Sequence, residues 1–322
     1  MNLSGKQNHI SAGIRRWLAS SMMDLILLLI CLALALKAPN FLTLDNLLNI
    51  LRSISMLGLL AFGMTMVIIA REIDLSVGSG VAFACCLVAR LMAEGVPPVI
   101  SMALTVMILF GCGLFIGFMR VSFSVPSFIT TLALFTGYKG LALMLTGGFP
   151  VAINVSWYYY LGSGYLLGIP VPAIIFTLAF AVIYFIMKYT TFGGAIYAIG
   201  GNDEAARLSG INVPFIRYMV FGIMGALTAV SGILLSSRIM SGTPTVAQQW
   251  ELDAIAAVII GGTSFSGGVG TVRGTLVGII FIGVIVNGMT LLNVGIYFQY
   301  IVRGGLILAA VMVNRIQELR TR

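Results

Sequence analysis

YAIGGNDEAARLSGINVPFIR, residues 197–217, gathers Asp203, Glu204, Arg207 and Arg217 into one short polar segment. Apolar sequence surrounds it, with one hydrophobic run over 167–187 and another over 215–236. The whole chain of 322 residues is 59% hydrophobic and only 9% charged, with a mean hydropathy of +1.07. An ordinary soluble domain carries about 25% charged residues. The apolar residues form long blocks rather than amphipathic stripes. Such blocks suit helices that cross about 30 Å of hydrocarbon and satisfy their backbone hydrogen bonds internally, as a bilayer demands. The polar segment is therefore an interruption in an all-α integral membrane protein, and its presence needs a reason.

Working outward from it, ten apolar segments can be marked: 20–37, 50–70, 77–93, 99–118, 125–145, 167–187, 215–236, 252–264, 274–292 and 299–313. They predict about ten transmembrane helices over residues 20–313, between an N-terminal tail (1–19) and a C-terminal tail (314–322). The eighth segment is short and runs into the Gly/Ser-rich GGTSFSGGVG, which points to a short or broken helix. Lys6, Arg15 and Arg16 followed by LILLLICLALAL resemble a signal peptide, but further hydrophobic blocks follow at once, so an uncleaved first span is expected.

Strict alternation from a cytoplasmic N-terminus puts twelve basic residues inside: Lys6, Arg15, Arg16, Arg71, Arg120, Lys188, Arg207, Arg217, Arg273, Arg315, Arg320 and Arg322. Six fall on or toward the outside: Lys37, Arg52, Arg90, Lys139, Arg238 and Arg303. This matches the positive-inside bias and makes both termini and the loop 188–214 cytoplasmic. The net charge of +8 comes from single residues at block edges, which suits membrane lipid headgroups and argues against nucleic acid.

Within the loop, Asn202 is a good N-cap. Asp203 and Glu204 sit where the helix dipole favours carboxylates. Ala205, Ala206, Arg207 and Leu208 are helix formers, and Gly210 can take the left-handed conformation that ends a helix. A helix of about two turns results, roughly 12 Å long. So short a helix must pack against something. Either it rests on the protein's own inner face, or it is a knob for a separate cytoplasmic subunit; the residues alone leave both open.

Several chemistries find no support. His9 is the only histidine and lies in the N-terminal tail, so a His-based triad or zinc cluster within the fold is excluded. Cys31, Cys85, Cys86 and Cys112 sit in apolar blocks without C-x-x-C spacing and read as packing residues. No G-x-x-x-x-G-K-[ST] occurs, and GGVGTVRG (267–274) reads as a tight turn. Asp24, Arg90 and Lys139 are the candidates for ionisable residues deep in the membrane, and none reads as a midplane carboxylate. That suits a path for a neutral, hydroxyl-rich solute better than an ion-coupled carrier. Thr65, Ser76, Ser79, Asn287 and Gln299 are the small polar groups such a path could use, with Phe298 to cover a sugar face. Hydrogen bonding within and between helices is the competing role for each. Gly113 and Gly117 are read as helix-packing residues.

Two further features stand out. EID at 72–74 precedes the third apolar segment and ELD at 251–253 the eighth, on opposite sides under the alternation, as an inverted repeat or chance would give. The outward loop 146–166 carries Trp157, Tyr158, Tyr159 and Tyr160, either an interfacial aromatic belt or a docking surface.

The segment GGNDEAARLSGINV resembles the cytoplasmic coupling loop of permease subunits of ribose-type ABC sugar importers. Further matches are EIDLSVGS (72–79), VPSFITTLALFTGYKG (125–140), ELDAIAAVIIGGTSFSGGVGTVRGTLVG (251–278) and NGMTLLNVGIYFQYIVRGGLI (287–307). The chain departs from the family pattern at Arg71-Glu72, where Gly-Gly is usual, and at Lys139, where Arg is more frequent. The resemblance implies the ABC importer permease fold in a bacterial inner membrane, no enzymatic activity of its own and no cofactor. It implies a cytoplasmic ABC ATPase subunit, a periplasmic sugar-binding protein and a second permease chain, a homodimer being expected. Gly201, Asn202, Asp203, Glu204, Ala205, Ala206, Arg207, Leu208 and Gly210 would then couple to the ATPase. An ion-coupled secondary sugar carrier is the alternative function.

Overall fold

The computed structural model describes residues 23–321. The expected tail 1–19, with Lys6, His9, Arg15 and Arg16, lies outside the described residues, as does Arg322. The chain is built from helices in the order expected of its hydropathy. The first, α1, covers residues 23–37. It is followed by α2 (Leu44–Ile69), α3 (Val77–Ala93), α4 (Pro98–Ser122), α5 (Ser127–Thr146), the short α6 (Tyr159–Ser163), α7 (Val171–Tyr189), α8 (Thr191–Gly201) and α9 (Asp203–Leu208). Then come α10 (Val213–Ile239), α11 (Trp250–Ile260), α12 (Val272–Leu291) and α13 (Ile296–Thr321).

Each of the ten apolar segments overlaps a helix. Among the described residues six helices are long and apolar enough to cross a membrane: α2, α4, α5, α7, α10 and α12. The third apolar segment coincides with α3, which has 17 residues, about 25 Å of helix, just short of the hydrocarbon thickness. The eighth segment yields α11, 11 residues and about 16 Å, after which Gly262 turns the chain with φ +86°. It is a short helix, as the Gly/Ser-rich sequence after it suggested.

Two helices form the centre. Of the apolar window of α2, 89% is buried inside the protein, against 67% for α10 and 22–28% for α4, α5 and α7. The latter three therefore present most of their surface outward. α3 and α4 pack on α10, α5 on α3, and α7, α11 and α12 on α2, with α13 beside α11. Close approach of α4 to α10 depends on the G-x-x-x-G pair. A Cβ at Gly113 would strike the Phe221 carbonyl, and one at Gly117 would come within 2.8 Å of the Tyr218 Cα. The packing role expected of these two glycines is where the structure puts them.

The loops sort onto two faces. On one, residues 71–74, the turn 264–270 and the segment α8–α9 meet. Arg71 Nε donates to Ser266 O (2.8 Å), Gly268 N to Ile69 O (2.9 Å), and Tyr197 Oη to Gly270 O (2.9 Å). On the other face, β1 (Val151–Ala152) pairs antiparallel with β4 (Ser241–Gly242), and β2 (Tyr165–Leu166) with β3 (Ile169–Pro170). Arg52 reaches Ser163 O there, and its guanidinium lies 4.9 Å from the Tyr165 ring centroid. Arg71, Arg120 and Arg217 thus share one face, while Arg52 and Arg238 share the other, the same grouping the alternation made. Tyr158 departs from both readings of the aromatic run. It is fully buried, and its hydroxyl bonds Ile233 O (3.0 Å) and Ser236 Oγ (2.6 Å) while Trp157, Tyr159 and Tyr160 stay exposed. One of the four aromatics is a core residue of the loop.

Candidate functional site: a capped helix and its ion-pair chain

The polar segment folds as two helices rather than one. Thr190 caps α8, its Oγ1 accepting from Gly193 N at 3.2 Å. This helix was not expected from sequence, because TFGGAIYAIGG carries two glycine pairs, and each interior Gly weakens a helix by roughly 1 kcal/mol. Burial of Gly193, Ala195, Ile196, Ile199 and Gly200 against the protein overrides that propensity. The Thr190 cap was the signal available in the sequence.

α9 has six residues, about 9 Å. Asn202 caps it as expected, with Oδ1 accepting from Ala205 N at 3.0 Å. Ser209 ends it, and Gly210 takes φ +85° and donates to Arg207 O (3.1 Å). The nine residues expected to couple divide by exposure. Ala206 is buried and pins the helix; Asp203 is half-buried; Gly201, Asn202, Glu204, Ala205, Arg207, Leu208 and Gly210 face outward. Leu208 is 79% exposed, an apolar tip on an otherwise polar knob.

Asp203 faces inward for a reason. Its Oδ2 accepts from Arg217 Nη2 at 2.9 Å, on the first turns of α10. Arg217 Nε lies 3.2 Å from Glu72 Oε1, within ion-pairing distance though not aligned for a hydrogen bond. The same Glu72 oxygen accepts from Arg120 Nε at 2.7 Å, at the end of α4. The result is one chain of alternating charge, Asp203–Arg217–Glu72–Arg120. Its outer link is weak: Asp203 has a side chain 47% exposed, so that pair contributes about 1 kcal/mol or less. Its inner link is not. Glu72 is only 5% exposed and holds two arginines; without it Arg120 would lose its ion-pair partner and Arg217 would keep only the half-exposed Asp203.

The loop that carries Glu72 is held at every step. Ile73 N donates to Ser127 Oγ (3.2 Å) and Leu75 N to Thr131 Oγ1 (3.1 Å), both from α5. Asp74 Oδ1 accepts from Ser76 N (2.8 Å) and Ser76 Oγ (2.6 Å), where α3 begins. An open recess of about 230 Å³ lies outside, lined by Arg71, Glu72, Ile73, Arg120, Pro126, Ser127 and Phe128. Arg71 itself has φ +63°, a conformation natural to glycine. A position where the resembling family usually has Gly is thus one that demands it sterically, and here the Arg71–Ser266 bond holds a residue with a Cβ in that conformation.

The six residues expected along a path do not meet in one place. Thr65 bonds Ala61 O (2.8 Å) and Thr275 (2.7 Å), joining α2 to α12. Ser79 donates to Ser76 O at 2.9 Å. Asn287 pairs amide to amide with Asn46 (2.8 and 3.1 Å). Gln299 Nε2 donates to Val294 O (3.0 Å), and Phe298 is exposed. Ser76 lines a small cavity of about 10 Å³ with Asp74, Leu109, Gly113, Tyr138 and Thr228, at the depth of the middle of α4 and α10. That position corrects the expectation that no carboxylate lies at the midplane. Asp74, Glu251 and Asp253 are all buried, and the apolar windows did not reveal them because each precedes or opens a short helix. Asp253 Oδ2 accepts from Arg303 Nη1 at 3.0 Å. Of the three ionisable residues marked from sequence, Asp24 and Lys139 are exposed and Arg90 pairs with Glu94 at 2.9 Å.

With this geometry in place, the chain can be compared with known proteins. The family model described as "Branched-chain amino acid transport system / permease component" matches residues 46–311. A ribose import permease protein of Bacillus subtilis (strain 168) is 42% identical over 291 residues, 90% of each chain. An L-arabinose ABC transporter permease protein of Azospirillum brasilense is 34% identical over 310 residues, 96% of this chain and 91% of the relative. A xylose transport system permease protein of Haemophilus influenzae is 35% identical over 337 residues, 85% of this chain and 90% of the relative. No solved structure matches the chain.

Proposed function

This chain belongs to the family described as branched-chain amino acid transport system / permease component, among its ribose-type ABC importer permeases, and from that premise we propose that it carries a monosaccharide or closely related polyol across a bacterial inner membrane. The family description names amino acids, but relatives named for ribose, arabinose and xylose align with 85% or more of the chain. A sugar is the substrate class they support together.

In this reading, transport is by alternating access and a separate ATPase subunit drives it. The exposed face of α9, with Glu204, Arg207 and Leu208, seats in that ATPase. A periplasmic binding protein delivers the sugar to the opposite face, and two permease chains, a homodimer, enclose the path. Both termini and α9 are cytoplasmic, and about ten helices cross or enter the membrane, α3 and α11 as shorter members of an inverted pair. Gly201, Asn202, Asp203, Ala205, Ala206 and Gly210 shape and hold the knob rather than grip the partner.

The observation that carries the proposal is the ion-pair chain. A helix displaced by a motor is useful only if something connects it to the membrane core, and Asp203–Arg217–Glu72–Arg120 is such a connection, buried at Glu72 and partly exposed at Asp203. It passes, at Glu72, through the loop that opens α3. Replacing Glu204 and Arg207 together with Ala should abolish uptake of radiolabelled D-ribose, D-xylose and L-arabinose in cells with the complete transporter, while the chain stays in the membrane. Undiminished uptake by that double variant would refute the coupling role. The buried carboxylates Asp74, Glu251 and Asp253 are the one observation that favours an ion-coupled carrier instead. That alternative predicts uptake that collapses with a protonophore while ATP is held constant.

A further inference from the structure

The short helices α3 and α11 begin at a common point inside the protein. A Cβ built on Gly78, in the first turn of α3, would collide with Glu251 Oε2 and lie 3.0 Å from Ala247 O, so the start of α11 presses on the start of α3. From this point α3 runs toward the face carrying β1 and β4, where Cys85 Sγ contacts Ser241 O at 3.4 Å. α11 runs the other way, toward the turn 264–270. Two helix N-terminal ends, each bearing roughly half a positive charge, therefore meet at mid-depth.

Three carboxylates attend this junction, and two are satisfied. Asp74 accepts from Ser76 N and Oγ, and Asp253 from Arg303. Glu251 is different. It is 8% exposed, and its Oε2 has no hydrogen-bond partner. A buried carboxyl oxygen without a partner is unfavourable and calls for a specific explanation. The oxygen is aimed at the first turn of α3, where glycine leaves just enough room for it. Even a Cβ at position 78 would collide with it, so a ligand needs more room there than this arrangement of α3 and α11 leaves. The loop 72–76 joins the start of α3 to the ion-pair chain that reaches α9.

We propose that the meeting point of the α3 and α11 N-terminal ends is the solute site within the membrane, where Glu251 Oε2 accepts a hydrogen bond from a sugar hydroxyl as the two helices separate. The chemistry selects the class. A carboxyl oxygen suits neutral hydroxyl donors, the first-turn N–H groups of α3 suit hydroxyl oxygens, and three nearby carboxylates disfavour an anion. This inference rests on the sugar-importer reading above, with which it can be tested in one experiment.

In the complete transporter, with Cys31, Cys85, Cys86 and Cys112 replaced by serine, Glu251→Cys should react with 2-aminoethyl methanethiosulfonate in one nucleotide state and be protected by D-ribose. Ala247→Cys, at the same junction, serves if Glu251→Cys fails to assemble. Glu251→Gln should lower the efficiency of D-ribose uptake, as the ratio of maximal rate to KM, by about tenfold or more. A thiol unreactive in every nucleotide state, or a Glu251→Gln transporter with unchanged uptake efficiency, would overturn the proposal. Failure of the unmodified transporter to take up D-ribose, D-xylose or L-arabinose would instead sink the sugar reading, and thiol access would still decide whether the junction opens to water.

Discussion

The two acidic motifs of this chain, Glu72-Ile73-Asp74 and Glu251-Leu252-Asp253, look alike in sequence and are built differently in space. In the first, Glu72 holds two arginines, Asp74 holds two donors of Ser76, and the intervening backbone is tied to Ser127 and Thr131. In the second, Asp253 holds one arginine and Glu251 Oε2 holds nothing. The first motif is clamped along its length, from Glu72 near the face that carries α9 to Asp74 at mid-depth. The second is an unfinished one at mid-depth. The difference teaches that a repeated acidic pair can be fully satisfied in one place and left with an unpartnered oxygen in another.

That contrast can be broken most severely at Glu72. Glu72→Ala leaves Arg120 and Arg217 without their shared anion, and stability should fall by about 3–5 kcal/mol, read as a large drop in melting temperature of the detergent-purified chain. A loss as small as that of an exposed pair would mean the chain is no strut. Glu251→Gln should behave in the opposite sense. Since Oε2 has no partner to lose, the melting temperature should hold or rise, with a change of no more than about 1 kcal/mol. A drop matching that of Glu72→Ala would erase the distinction between the motifs. The smallest effect is expected beside the first motif. Arg71→Gly relieves a left-handed residue, a strain of about 1 kcal/mol, but forfeits the Arg71–Ser266 bond of similar size, so stability should stay within about 0.5 kcal/mol of the original. A clear gain would show that the bond contributes little.

Much of the architecture is legible in the sequence because hydrophobic blocks are a long-range average that local detail cannot hide. Asn202, Gly210 and Ala206 were equally legible, since capping and helix propensity are local. What escaped depended on partners distant in the chain. Glu72 and Arg217 reveal nothing of each other until α2 and α10 are packed, and the buried state of Glu251 follows from Gly78 in another helix. The helix over TFGGAIYAIGG escaped for the opposite reason, because local propensity argues against it and only its packed surface favours it. Tyr158 was grouped with three neighbours that share its chemistry but not its burial.

α10 runs without a break from Val213 to Ile239, and β4 follows at once to pair with β1. One end therefore holds Arg217 beside α9, and the other is stitched to the loop on the far face. A rod about 40 Å long with both ends fastened admits little slack. Under the proposed function, cargo arriving at one face and a motor working at the other would strain the same beam, so each could register the other without any messenger crossing between them.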